Sequence, residues 1–173
     1  PSGLAALANA LREHSVLQEF TWFDFMCTRL KATHITSLDP VLHALSACPR
    51  LRKATIMTEC ASATAMKNLL QLQSAADLYL ILGKERWLVV AEEIRQGRCN
   101  VRNLDLAMNR RAESDATEAV KAVASAIRLD RNLEHLHLRM QNGFTDEAGV
   151  ALAEALTVNT TLRKIRLSAT VHE

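Results

Sequence analysis

The sequence predicts an α/β fold in which about six short parallel strands alternate with six helices, stacked unit on unit. Three observations lead there. A short block with apolar residues at its first, fourth and sixth positions returns six times, starting at residues 17, 51, 75, 101, 133 and 162; from 17 to 162 the five steps average 29 residues. The segments between blocks carry apolar residues at three- and four-residue spacing, the period of a helix with one buried face. Tight polar turns join helix to block, among them His14-Ser-Val, Pro49-Arg, Arg98-Cys-Asn100, Asp130-Arg-Asn132 and Asn159-Thr-Thr161. One block would define nothing, but a block that returns beside a helix defines a repeat architecture.

The elements follow in order. Gly3 to Glu13 places Leu4, Leu7, Ala8 and Leu11 on one helical face, and the block Leu17-Gln-Glu-Phe20-Thr-Trp22 comes next. Asp39-Pro40 opens the second helix as a cap followed by proline. That helix carries Val41, Leu42 and Leu45, closes at Cys48-Pro49, and leads into Leu51-Arg-Lys-Ala54-Thr-Ile56. The third runs from about Ser62 to Gln73 with Met66, Leu69 and Leu70 inward, before Ala75-Ala-Asp-Leu78-Tyr-Leu80. The fourth, from about Lys84 to Gln96, carries Trp87, Leu88, Ala91 and Ile94, with Gly97 as its stop. The clearest block, Val101-Arg-Asn-Leu104-Asp-Leu106-Ala-Met-Asn109, follows it. The fifth helix opens at Ser114 with Val120, Val123, Ala124 and Ile127, before Leu133-Glu-His-Leu136-His-Leu138. The sixth opens at Thr145 with Ala148, Val150, Leu152, Ala153 and Leu156, before Leu162-Arg-Lys-Ile165-Arg-Leu167. A strand this short cannot bury its apolar side alone, so each must pair in parallel with the next under a layer of helices. Helices are wider than strands, which predicts a curved solenoid, a horseshoe with the sheet on the concave side and the helices on the convex side.

Composition bounds the rest. At 173 residues, 49% hydrophobic and 23% charged, the chain has ordinary globular composition and one sizeable core. A net charge of +2 does not point to a nucleic-acid partner. The longest apolar runs, Leu78 to Leu82 and Trp87 to Ala91, fall far short of the ~20 residues that span a bilayer. Cys27, Cys48, Cys60 and Cys99 form no CxxC pair and read as reduced thiols, which favours a cytoplasmic setting. A Cys27–Cys48 disulfide is the alternative. The chain begins at Pro1 and stops soon after its last block, so residues 1–173 read as a single domain cut at both ends from a longer protein.

The run Thr145-Asp-Glu-Ala-Gly149-Val-Ala-Leu152-Ala-Glu-Ala-Leu156-Thr-Val-Asn159-Thr-Thr-Leu162-Arg-Lys-Ile165-Arg-Leu167 resembles a leucine-rich repeat of the ribonuclease-inhibitor type. The sixth unit matches closely, the fourth and fifth well, the first three loosely. There are departures. The family's ninth-position asparagine occurs only at Asn109, with Phe25, Glu59, Gly83, Gln141 and Thr170 at the other five positions. Ala75 and Ala54 replace leucine, which predicts looser packing in the N-terminal half. The resemblance implies a protein-binding module without cofactor. Similar repeats occur in intracellular immune sensors and in bacterial effectors delivered into host cytosol, beside other domains.

Side chains alternate along a strand, so positions three, five and seven of each block face away from the core. At position seven, Phe23, Met57, Ile81 and Ala107 make an apolar column. In the last two units His135, His137, Arg139, Lys164 and Arg166 make a basic patch, partly offset by Asp105. An apolar stripe rimmed by charge suits a protein partner, and Tyr79 and Arg139 are residue types that anchor interfaces. The plainer readings are that position seven only extends the core and that the basic patch is a solvated face. His135-Leu-His137 with Asp105 offers three ligands for zinc but no fourth, so no metal is assigned. Arg98 and Arg102 beside Cys99 would lower its pKa, yet no histidine is placed to serve it.

No glycine-rich phosphate loop, GxSxG or HExxH occurs, so no catalytic residue is assigned. The expected function is therefore a non-catalytic scaffold that holds a partner protein on its concave face. One alternative is an activator of a small GTPase acting through Asn109, Asn142 or Arg110 at the sheet rim. Another is a structural or autoinhibitory domain docked on its own parent chain. Oligomeric state is left open.

Overall fold

A computed structural model describes residues 3–13, 16–23, 39–57, 62–72, 77–108, 116–140 and 144–169, with Phe23 and Met57 described by their backbone. Helices and strands alternate through the chain in the order α1 (Gly3–Glu13), β1 (Glu19–Phe23), α2 (Asp39–Ser46), β2 (Lys53–Met57), α3 (Ala63–Leu70) and β3 (Asp77–Leu82). They continue as α4 (Lys84–Arg95), β4 (Asn103–Met108), α5 (Thr117–Ile127), β5 (His135–Met140), α6 (Asp146–Val158) and β6 (Lys164–Ala169). The six strands form one sheet, every neighbouring pair parallel, in the order β1-β2-β3-β4-β5-β6.

The register is the one the block count demands. Glu19, Lys53, Asp77, Asn103, His135 and Lys164, each the third residue of its block, stand side by side across the sheet. Every strand therefore turns positions four and six to the same face. In β2 to β5 those positions are buried: Ala54, Ile56, Leu78, Leu80, Leu104, Leu106, Leu136 and Leu138 are at most 2% exposed. They join the inner faces of the helices in one continuous core. Each helix packs on the next, α1 on α2 through to α5 on α6. Trp87 lies fully inside. Phe20 and Trp22, expected as core, are half-buried against its margin, because among the described residues β1 has a strand on one side only.

Local signals set the ends. The Ser62 hydroxyl accepts from the Ala65 N–H (3.1 Å) at the start of α3, and that of Thr145 accepts from the Ala148 N–H (3.3 Å) at the start of α6. Gly97 stops α4 in the left-handed conformation, φ 67°. Its N–H donates to Ile94 O and the Arg98 N–H donates to Glu93 O, both at 2.9 Å, the paired bonds of a Schellman turn. Residue 114, expected to open the fifth helix, lies outside the described residues, and Ala116 stands at the start of α5.

Four details differ from expectation. Leu88 is 43% exposed; Val90 and Glu93 take the buried positions of α4. On α6, Val150 and Leu156 are 58% and 38% exposed and Ala153 is exposed, because α6 has a helical neighbour, α5, on one side only among the described residues. Position six of β6, Leu167, is 48% exposed for the same reason of an outermost place. The N-terminal half is no looser at β2, where Leu51, Ala54 and Ile56 are all fully buried. Ala75 lies outside the described residues, as do Phe25, Glu59, Asn109, Gln141 and Thr170 of the expected asparagine column.

A different set of asparagines binds unit to unit. Asn100 Nδ2 donates to Gln71 O (3.1 Å), Asn132 Nδ2 to Cys99 O (3.0 Å), and Asn159 Nδ2 to Ile127 O (2.5 Å) and Asp130 O (3.2 Å). Each sits in a helix-to-strand turn and satisfies a carbonyl of the preceding unit, where a turn would otherwise leave it unpaired.

Candidate functional site

The unburied face of the sheet carries three rows. Position three runs Glu19, Lys53, Asp77, Asn103, His135, Lys164; position five runs Thr21, Thr55, Tyr79, Asp105, His137, Arg166. Position seven runs Phe23, Met57, Ile81, Ala107, Arg139, Ser168. The expected columns thus stand in register. Within the apolar column Ile81 is half-buried and Ala107 is only 7% exposed, although Ala107 does not belong to the core on the other side of the sheet. The side chains of Phe23 and Met57 lie outside the described residues, as do Asn109, Arg110 and Asn142 at the rim.

The expected basic patch is not a set of like charges. Asp105 ties its middle together. Arg139 Nη2 donates to Asp105 Oδ2 (2.6 Å) and Nε to Oδ1 (3.0 Å), a two-pronged pair in which both geometry and charge favour the bond. The same guanidinium lies 4.8 Å from the Tyr79 ring centroid, stacked as a cation on an aromatic face. Hydrogen bonding to Asp105 raises the Arg139 pKa further above its ordinary value. Burial pushes the Tyr79 phenol up, with Arg139 pulling it down and Asp105 adding to the rise. The two residues expected to anchor a partner, Tyr79 and Arg139, therefore touch each other, and Asp105 holds the guanidinium in place.

His137 sits in the same network. Its Nδ1 lies 3.0 Å from Asp105 Oδ2 and its Nε2 lies 2.8 Å from Ser168 Oγ. An ionised carboxylate only accepts, so Nδ1 carries the proton and donates it to Asp105. Nε2 is then the acceptor for the Ser168 hydroxyl. Arg139 Nε also lies 3.3 Å from Nδ1, but its shorter bond to Asp105 Oδ1 claims that donor. The side chains of His137 and Asp105 are 14% and 23% exposed.

The histidine pair considered for zinc is not free on this face. Both ring nitrogens of His137 are engaged by protein groups, and no cluster of three metal-type ligands occurs among the described residues. His135 is exposed on the same face and outside the network. Beside the network a cleft of about 310 Å³ is lined in part by Lys53, Tyr79, His137, Lys164 and Arg166. Asp77, also at the cleft, accepts a hydrogen bond from the Asn103 side-chain amide. Lys53, Lys164 and Arg166 have no acidic partner among the described residues.

Cys99 reverses its expected chemistry. It is 1% exposed, and burial pushes its pKa to about 12, with Asp130 and Glu93 adding to the rise. Arg98 does not serve it, because its guanidinium forks onto Glu93 at 2.7 and 2.5 Å. Cys48 is also a buried thiol, donating toward Leu11 O at 3.4 Å; its suggested partner Cys27 lies outside the described residues.

Two features escaped the sequence reading. The register places Ser168, at position seven of the last unit, one strand from His137. Counting blocks would have placed it on the same face: positions five, five and seven of three consecutive units hold Asp105, His137 and Ser168. Glu93 is the other, a fully buried carboxylate in the last turn of α4. No protein-family model matches this chain, and no curated protein matches it either.

Proposed function

We propose that this chain is a protein-interaction scaffold of the leucine-rich-repeat kind, its units curving with the open sheet face inside and that face holding a partner protein. The observation that carries the reading is the ordered contact between Tyr79, Arg139 and Asp105 on an otherwise open face. An aromatic ring and a guanidinium already fixed in position lose little side-chain freedom on binding, which is how a few residues come to carry most of an interface. Around them, Lys53, Lys164 and Arg166 give the face an affinity for acidic groups, so the partner surface is expected to be acidic with an apolar centre. The proposed setting is cytoplasmic. Among the described residues no helix is long and apolar enough to cross a membrane.

The test is a binding comparison with the immobilised chain. Tyr79→Ala and Arg139→Glu each are expected to release proteins that the unchanged chain retains, by about 2 kcal/mol or roughly thirtyfold in affinity for a true anchor. Glu154→Lys, an exposed change on α6, should leave the retained set as it was. If the two sheet-face variants retain the same proteins as the unchanged chain, the sheet face is not the binding surface.

A further inference from the structure

We propose that Ser168 is a nucleophile toward small carboxylic esters, with His137 as its base and Asp105 as the residue that positions His137. This goes beyond partner binding and does not depend on it. Three adjacent strands supply the three groups. The Ser168 hydroxyl lies 2.8 Å from His137 Nε2, and His137 Nδ1 lies 3.0 Å from Asp105 Oδ2. Nucleophile to base, and base to a carboxylate that fixes its tautomer, is the arrangement that activates a serine, and it is recognised by geometry rather than by fold or chain order. The tautomer is forced here, since Asp105 can only accept. Arg139, braced between Tyr79 and Asp105, holds the carboxylate in turn.

Two further groups complete the setting. Arg166 precedes Ser168 by two residues on the same face of β6, is exposed and lacks an acidic partner among the described residues. A cation on that face favours negative charge developing on a carbonyl oxygen beside Ser168. Asp105, His137 and Arg166 border the cleft of about 310 Å³, and Ser168 stands outside its lining, so an ester would reach Ser168 from the open face.

The chemistry balances without a co-reactant other than water. Ser168 Oγ attacks the ester carbonyl as its proton passes to His137 Nε2, and the Oγ–C bond forms. The tetrahedral adduct collapses, the bond to the leaving alkoxide breaks, and His137 returns the proton to that oxygen. Water, deprotonated by the same nitrogen, then cleaves the acyl-Ser168 ester to a carboxylic acid and restores the hydroxyl.

The experiment is covalent labelling of the whole chain by a fluorophosphonate, read by intact mass and peptide mapping, with 4-nitrophenyl acetate as a second probe. One adduct is expected, on Ser168, with fluoride lost, and acetate ester should give a burst of nitrophenolate. Ser168→Ala removes both. His137→Ala slows labelling about a hundredfold, the usual contribution of a positioned base. Asp105→Asn is nearly isosteric; its amide donates to Nδ1 and leaves the proton on Nε2, so labelling slows similarly and loses its rise with pH. That altered pH profile separates positioning from mere packing, and Asp105→Asn also carries the test if His137→Ala melts below the assay temperature. No adduct at Ser168, or labelling of equal rate and pH profile in Asp105→Asn, overturns the proposal.

Discussion

At the scale of single residues, Glu93 and Asp130 are the buried charges among the described residues, and Glu93 is the deeper of the two. Glu93 is fully buried in α4, yet all its partners come from the edge of the core. Arg98 forks onto it, Gln71 Nε2 donates at 3.3 Å, and Lys67 Nζ lies 3.7 Å away on α3. The Arg98 hydrogen bonds hold the carboxyl below its ordinary pKa, against burial, which raises it. A depressed carboxylate pKa stabilises the fold above the unfolded value, near pH 4.3, and that contribution is lost as pH falls through the folded one. Removing Arg98 leaves the carboxylate with Gln71 and one distant ammonium. Arg98→Ala is therefore expected to lower the Tm at pH 7. The difference from the unchanged chain should shrink in thermal melts as pH falls below the unfolded value and through the lower folded one, where Glu93 takes up its proton. An equal loss throughout would mean that Arg98 acts by packing alone. The sequence could not announce this residue, because a glutamate between Glu92 and Ile94 on a helix reads as a solvated face. For the Asp105–His137–Ser168 network it gave the places and not the contacts. The rows of the open face were legible from alternation, but the relay crosses from row five to row seven between strands, and side-chain direction within a row is not in the pattern.

The elements repeat because their turns lock to one another as well as their cores. Asn159 is the fullest case. Its amide nitrogen donates to two carbonyls of the preceding turn, and its oxygen accepts from the Thr161 N–H (3.0 Å) and the Leu162 N–H (2.7 Å). One side chain thus closes its own turn and fastens it to α5 and its exit. Asp130 does the local half of this work, its Oδ2 accepting from the Asn132 N–H (3.0 Å) and the Leu133 N–H (2.6 Å). Asn159→Ala leaves two carbonyls and two amides to find other partners. The expected loss is about 2 kcal/mol, a fall of roughly 4–8 °C in Tm. Asn100→Ala, which breaks a single bond, should cost about half as much in the same melts. Equal losses would show that the turn, and not the link between units, sets the cost. The strand register was fully legible from the chain, since a block counted from its first apolar residue leaves no freedom to slip without turning leucines to water. The helical faces were most legible where a helix has neighbours on both sides, with Leu88 on α4 the exception. Val120, Val123, Ala124 and Ile127 on α5 are buried as the spacing required, whereas Val150 and Leu156 on α6 are not.

For the whole molecule, burial is a property of position in the stack more than of residue type. Position six is leucine in both β4 and β6. Leu106 is fully buried, with strands on both sides and helices above; Leu167, on the outermost strand, is 48% exposed. The one continuous core is therefore thick in the middle units and thin at the last, and each unit's stability depends on the neighbours that cover it. The same substitution should read out this gradient. Leu106→Ala removes a packed side chain and leaves a cavity, at a cost of about 3 kcal/mol. Leu167→Ala gives up only part of a half-wet surface, at a cost of about 1 kcal/mol or less. Hydrogen exchange should follow the same order, with amides of β4 opening only in the deepest unfolding and those of β6 in a local one, even where they donate inward, as Lys164 N–H does to Glu134 O at 3.1 Å. Losses of equal size at the two leucines, with β6 as protected as β4, would mean that the sheet unfolds as one indivisible block and that its units do not act through their neighbours.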